Sequence, residues 1–182
     1  FTFLDINFPT WRDVFYIISG LITLFSILLI IGILFTYFGV ETTSHSVENI
    51  VSSSPELILL LIPISLLLVG PLEELLYRNI IQKSLYSSFS PIGSIFISSI
   101  IFSAVHISAY AGDTLFQNPL PALNALAVIF ILSVIIGLVY YQTKNIVTAA
   151  LLHGIYDSII FTVFYINTTA DIIATVSSLL LF

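Results

Sequence analysis

From Val14 to Val40 and again from Thr114 to Thr143 the chain carries no charged side chain. Uninterrupted apolar runs of this kind decide what the chain can fold into. A helix needs about 20 mostly apolar residues to cross the hydrocarbon core of a bilayer, and several runs meet that length. Only 8% of the residues are charged and 58% are hydrophobic, against roughly 25% charged in a soluble domain. Too little polar surface is left to face water, so the solvent is membrane lipid. Lipid satisfies no backbone polar group, which restricts spanning segments to helices and closed barrels. These runs are long and do not alternate. The expected fold is all-α: a polytopic transmembrane helical bundle of five to six spans, forming a single membrane-embedded helical domain over residues 1–182.

The first span is expected from about Val14 to Phe38, followed by a polar loop from Glu41 to Ser54. Pro55 opens the second helix, at a position where a missing N–H costs nothing; the helix continues to about Tyr86. Pro91 opens the third, which ends near Ser108, and a loop with Gly112, Asp113 and Asn118 follows. The fourth span runs from about Pro121 to Tyr141 and the fifth from about Ile146 to Ile166. Asp171 to Phe182 is too short to cross alone and reads as a partial sixth. The chain begins at Phe1 and contains no Met, so a removed start or a trimmed piece is expected. The first run is about twice a signal-peptide core and is read as a retained span.

The net charge of −6 rests on four Lys+Arg and ten Asp+Glu. Four cations make no basic stripe, so nucleic acid is not an expected partner. The absence of Cys excludes disulfides, thiolate metal sites and a cysteine nucleophile. The few charges do set an orientation. With strictly alternating spans, Arg12, Arg78, Lys83 and Lys144 fall at one side, and Glu41, Glu48, Glu56 and Asp113 at the other. By the positive-inside rule the N-terminus of this multi-pass integral membrane protein is expected in the cytoplasm.

Six ionisable residues stand inside the apolar runs: Glu73, Glu74 and Arg78 in the second span, His106 in the third, His153 and Asp157 in the fifth. A charge at mid-bilayer costs at least ~2.5–3.5 kcal/mol and persists when it is paired or does chemistry. At 1.5 Å per residue, Glu73 lies roughly 15 Å from Lys83, His153 roughly 13 Å past Lys144, and His106 roughly 22 Å past Pro91, less if that helix is tilted. Three helices therefore carry polar groups into one mid-membrane layer. Glu74 and Arg78 are four residues apart with the acid first, the favourable order for an ion pair on one face; Glu73 points about 100° away and is left free. His153 and Asp157 share a face by the same spacing, as do Phe102 and His106, and the Phe102 ring is placed to wall the site. Gly70-Pro71, with Pro63 before it, is expected to kink the second helix next to the acids.

A carboxylate and two imidazoles around a wet pocket can activate water for attack on a carbonyl. Glu73 would be the general base, with His106 and His153 orienting the water and stabilising the oxyanion. The same groups, Glu73, His106, His153 and Asp157, could instead hold a divalent metal such as zinc with an open position. Residue types alone leave both open, and Asp157 leans toward metal as an anionic ligand.

The strings GPLEELLYR, FSAVH and LLHGIYD read as EExxxR, FxxxH and HxxxD. In that order they resemble the motifs of the CPBP family, the CAAX protease and bacteriocin-processing membrane proteins, which includes the type II CAAX prenyl endopeptidases. The resemblance covers a peptidase core of about residues 55–166. It implies an all-α intramembrane endopeptidase with Glu73 as catalytic base, His106 and His153 as essential partners, Glu74 and Arg78 completing the first motif, a site opening toward the cytosolic side, and a membrane-associated or prenylated peptide or protein as substrate. The third motif departs from the family, where Asn is common at the position of Asp157. An ionised Asp cannot donate to an oxyanion, so that role carries over only with Asp157 protonated or on a metal.

Blander readings stand beside this one. A single buried His is ordinarily a satisfied structural group, although the ordered set Glu73, Glu74, His106, His153 and Asp157 at matching depth is not ordinary. Tyr77, Tyr140, Tyr141 and Tyr156 read as packing or interfacial residues, His45 as a solvated loop residue, and Asn167-Thr168-Thr169 as a weak glycosylation match. Two other function classes remain: a catalytically inactive membrane scaffold or immunity protein, and an ion- or proton-coupled transporter, which the absence of an internal repeat disfavours. The orientation is directly testable, because a chain without Cys accepts a single reporter. Lys144→Cys in sealed cells should react with an impermeant thiol reagent only after the membrane is opened; reaction from outside reverses the topology.

Overall fold

The structure, a computed structural model, describes residues 4–41, 56–111 and 118–180, the side chains of 110–111 and 171–180 excepted. The elements are α1 (Trp11–Phe38), α2 (Glu56–Leu85), α3 (Pro91–Val105), α4 (Ile107–Ala111), α5 (Leu120–Thr143) and α6 (Ile146–Leu180), with no strand among the described residues. Five helices are long and apolar enough to cross a membrane: α1, α2, α3 continued to Ala109, α5, and α6 through Ala170.

Local chemistry marks the ends. Thr10 caps α1 reciprocally: its hydroxyl accepts from the Asp13 amide while the Asp13 carboxylate accepts from the Thr10 amide at 2.7 Å, a capping box. Gly39, at φ 61°, closes the helix in the left-handed region, where a side chain would be strained. Ser90 caps α3, with Pro91 at its first position.

Helix α2 is irregular. Pro63 lies inside it, and π-helical turns occupy Ser65–Val69 and Leu75–Gln82 on either side of Gly70–Glu74. The Gly70 amide reaches back five residues to the Ser65 carbonyl. The prolines supply no N–H to the regular ladder, so the kink expected at Gly70-Pro71 takes the form of widened turns. The same stretch presses against α6. A Cβ on Gly154 would stand 2.8 Å from Leu66 Cα, and one on Gly70 would stand 3.1 Å from the Ala150 carbonyl and the Gly154 amide. Without a hydrophobic effect in lipid, small residues of this kind let helices pack backbone to backbone. A second contact region joins α1, α5 and α6 through Leu24, Ile136, Tyr140, Ala149 and Leu152.

The N-terminal segment seals one end of the bundle. Asp5 pairs with Lys83 at 2.8 Å, accepts from the Tyr140 hydroxyl at 2.6 Å, and receives the Ile146 amide on its carbonyl. Arg12 donates to the Gln142 carbonyl, and Lys144 lies over the rings of Tyr86 and Tyr141. Arg12, Lys83 and Lys144 therefore share this end, as alternation of the spans requires.

Two expectations change. The partial sixth span is not a separate element: residues 171–180 continue α6, because nothing between Ile166 and Asp171 breaks it and Thr168 turns its hydroxyl back onto the Phe164 carbonyl. Asn167, of the weak sequon, lies in this helix. The third span breaks at His106 instead of running smoothly to Ser108. The expected loop features His45, Glu48, Pro55, Gly112 and Asp113 lie outside the described residues. The close α2–α6 crossing generates a test: Gly154→Ala should cost about 1–3 kcal/mol through overpacking, whereas Gly32→Ala, with open space around its Cβ, should be neutral or slightly stabilising. Thermal unfolding in detergent reads both; equal midpoints would remove the argument.

Candidate active site

Glu74 is drawn fully inside the bundle by the α2–α6 contact, and a buried carboxylate has to be compensated. It is compensated on both oxygens. Arg78 Nε donates to Oε2 at 2.7 Å, with both side chains at 0% exposure, and His153 Nδ1 donates to Oε1 at 2.8 Å. Arg78 in turn donates from Nη2 to the Ser133 hydroxyl on α5 at 2.8 Å. A chain of polar contacts thus runs Ser133–Arg78–Glu74–His153 across three helices.

Committing Nδ1–H to Glu74 sets the orientation of the His153 ring. Its Nε2 faces two more carboxylates, Asp157 Oδ2 at 3.5 Å and Glu73 Oε2 at 3.8 Å. Glu73, adjacent to Glu74 but turned around the helix, keeps 29% of its side chain accessible. Of the acidic pair, Glu74 carries the Arg78 ion pair and Glu73 faces His153 Nε2.

His106 arrives by a different local device. It is the C-terminal cap of α3, with φ −82° and ψ −2°, and its amide turns to the Ser103 carbonyl. That tighter closure leaves the Phe102 carbonyl without its i+4 amide partner, and the His106 ring takes it, Nδ1 donating at 2.8 Å. Both imidazoles therefore carry their hydrogen on Nδ1 toward a fixed acceptor, leaving Nε2 for other partners.

The Phe102 ring is the common wall. It stacks edge-on with Tyr77 at 4.8 Å, lies against His106 at 4.8 Å and His153 at 6.0 Å, and sits under the Arg78 guanidinium at 5.6 Å. Glu73, His106, His153, Asp157, Phe102 and Ser133 all line one cavity of about 410 Å³, whose remaining wall is largely apolar.

Two serines on the helices that carry the histidines are engaged elsewhere. Ser103 donates to the Leu126 carbonyl at 2.7 Å and Ser158 to the Gly154 carbonyl at 2.6 Å. Neither hydroxyl is directed at a histidine. Among the described residues no group of three or more His, Asp or Glu is gathered as a metal-ligand set, Glu73, His106, His153 and Asp157 included.

Sequence spacing missed the link between Glu74 and His153, because the two residues are 79 positions apart and no helical period connects them. It also missed Ser133 and Ser98. Ser98 donates to the Tyr77 carbonyl at 2.7 Å, inside the second π-helical stretch. The available signal was a hydroxyl recurring in an otherwise apolar run, which marks a helix face that meets another helix.

Compared with known proteins, the chain matches a family model over residues 55–159, more than half its length: type II CAAX prenyl endopeptidase Rce1-like. No curated protein and no solved structure matches it. The matched stretch takes in α2, α3, α5 and the part of α6 that bears His153 and Asp157. This protein belongs to the Rce1-like family of type II CAAX prenyl endopeptidases, and is an integral membrane member of that protease family.

Proposed function

We propose that the protein is an intramembrane endopeptidase that hydrolyses a peptide bond of a membrane-associated substrate with a water activated at Glu73. The observation that carries the reading is the orientation of His153: Glu74, neutralised by Arg78, holds Nδ1, so Nε2 is turned toward Glu73 within the cavity that His106 also lines.

In this mechanism a water sits between Glu73 and His106. Neutral His106 has its Nε2 lone pair available to accept one hydrogen of that water, because its Nδ1–H is held by the Phe102 carbonyl. Glu73 removes the other proton as the oxygen attacks the scissile carbonyl. The developing oxyanion is met by His153, which in its protonated form donates from Nε2 while Glu74 balances its charge. The tetrahedral intermediate then collapses: the C–N bond breaks, and Glu73 returns the proton to the leaving amine. Asp157, four residues from His153 and 3.5 Å from Nε2, steadies the same ring. No covalent intermediate forms. The substrate this site suits is a peptide tethered to the membrane, prenylated substrates included, since most of the cavity wall beyond the polar layer is apolar.

A scaffold that kept the fold without catalysis needs no accessible acid beside the buried pair; the exposure of Glu73 favours the hydrolase. Purified protein is to be assayed on a membrane-tethered peptide. Glu73→Gln should retain the parental melting temperature and lose about 10²–10⁴-fold in turnover, the range for loss of a general base. Near-normal activity, or an acyl-enzyme trapped at a serine, refutes the mechanism. Ser103→Ala and Ser158→Ala should stay close to parental rate, and a chelator arm reads any metal requirement.

The acidic pair should also divide by stability. Glu74→Gln leaves the Arg78 cation buried without its counter-charge and should cost about 3–5 kcal/mol. Thermal melts of the Glu73 and Glu74 variants side by side measure this, and equal destabilisation contradicts the division of roles.

A further inference from the structure

The segment before α1 has two unlike sides. On one, Asp5 pairs with Lys83 of α2, accepts from the Tyr140 hydroxyl of α5 and offers its carbonyl to the Ile146 amide of α6. The Asn7 amide donates to the Asn145 side chain at 3.3 Å. Asp5 makes its contacts from the left-handed region, at φ 43°, a conformation that Asp tolerates better than most residues. The other side is apolar and uncovered. Phe8 is 97% exposed and Trp11 89%, and Ile6 is exposed as well.

These contacts fix the height of the apolar side. Asn145 lies in the short turn between α5, which ends at Thr143, and α6, which begins at Ile146. Helix α1 begins at Trp11. The membrane-spanning helices α1, α5 and α6 therefore all begin or end at the level of Phe8 and Trp11. Arg12 reaches the Gln142 carbonyl at this same level. Around the helix, Trp11 continues the exposed stripe of Phe15, Ile18 and Ile22, whose spacing of four, three and four residues keeps to one face. That face is the lipid-facing side of α1.

We propose that residues 6–11 form an in-plane membrane anchor, with Phe8 and Trp11 seated at the headgroup–acyl boundary of the leaflet at the Lys83–Lys144 end. The occupant of the uncovered face is lipid, by continuity with the stripe on α1. Aromatic rings and cations both favour this layer, where a ring leaves water while a charged head stays in it. Asp5 fastens the same segment to α2, α5 and α6, which carry Glu73, Ser133 and His153. A hold on the segment is thus a hold on the helices that bear the site. The anchor does not depend on the hydrolase reading.

Trp11 is the one tryptophan of the chain and serves as its own probe. The full chain is placed in lipid nanodiscs, whose two faces are open to solution. Its emission is quenched by iodide in the water, or by bromine carried on the lipid acyl chains near the headgroup or near the chain end. The expected ranking is strongest quenching by bromine near the headgroup, weaker quenching by bromine at the chain end, and least by iodide. Position 8, which precedes the helix, is read separately. Phe8→Trp in a Trp11→Phe background keeps both positions aromatic, gel filtration checks its fold, and the same ranking is expected. At either position, stronger quenching by iodide than by lipid bromine puts the segment in water. Quenching by none of the three puts it against protein, and strongest quenching by chain-end bromine puts it below the boundary. Each of these results overturns the anchor.

Discussion

A carboxylate that cannot reach water organises this protein. Glu74 is fully enclosed in a bundle that is itself surrounded by lipid, where an uncompensated charge is prohibitive. Both its oxygens are consequently committed, one to Arg78 and one to His153. Each commitment constrains more than a side chain. Arg78 binds α2 to α5 through Ser133, and His153 binds α2 to α6. The requirement to neutralise one buried charge thereby fixes the relative placement of three helices and aims the His153 ring into the cavity. Glu73, adjacent in sequence, escapes these demands by its position around the helix, and its accessibility is the counterpart of its neighbour's enclosure.

That arrangement depends on close helix contact, which is where apolar composition alone is uninformative. Lipid is as apolar as leucine, so hydrophobicity does not choose which helix faces touch. Gly70 and Gly154 choose here, by allowing α2 and α6 to meet at backbone distance. The π-helical turns add a second adjustment, opening carbonyls such as that of Tyr77 to a hydroxyl from α3. Turns of this kind occur frequently at functional sites, and in α2 they bracket the acidic pair.

Much of this is legible in the sequence. The spans follow from the length of the uncharged runs, and their lipid environment from the scarcity of charge. Their common polar layer follows from counting residues between Lys83 and Glu73 and between Lys144 and His153. The four-residue spacing of Glu74 and Arg78 sufficed to pick out the acid that pairs with the arginine. What escaped was contact across helices, since no period in one helix encodes its neighbour: the Glu74–His153 bond, the Ser133 anchor and the seal made by Asp5. The expected break into a partial sixth span failed because Asn167, Thr168 and Thr169 look like loop residues, yet Thr168 can satisfy its hydroxyl on the helix's own backbone. Glu73, His106, Asp157 and His153, on three helices, line one cavity.

The π-helical stretch Leu75–Gln82 puts α2 out of phase with itself. Each residue advances a regular helix by about 100°, so a turn carrying an extra residue resets the direction of everything that follows. The acids lie before this stretch and Arg78, Asn79 and Gln82 lie within it. Deleting one residue between Arg78 and Gln82 would improve the helix as a helix and leave the Glu74–Arg78 pair in place, yet turn the Gln82 amide away from the Gly137 carbonyl on α5 to which it donates. The irregularity is thus tied to a contact across helices. Sequences that preserve that contact are constrained to preserve the imperfect turn, and the length of this segment is under tighter constraint than the identity of its lipid-facing residues Leu76 and Ile80.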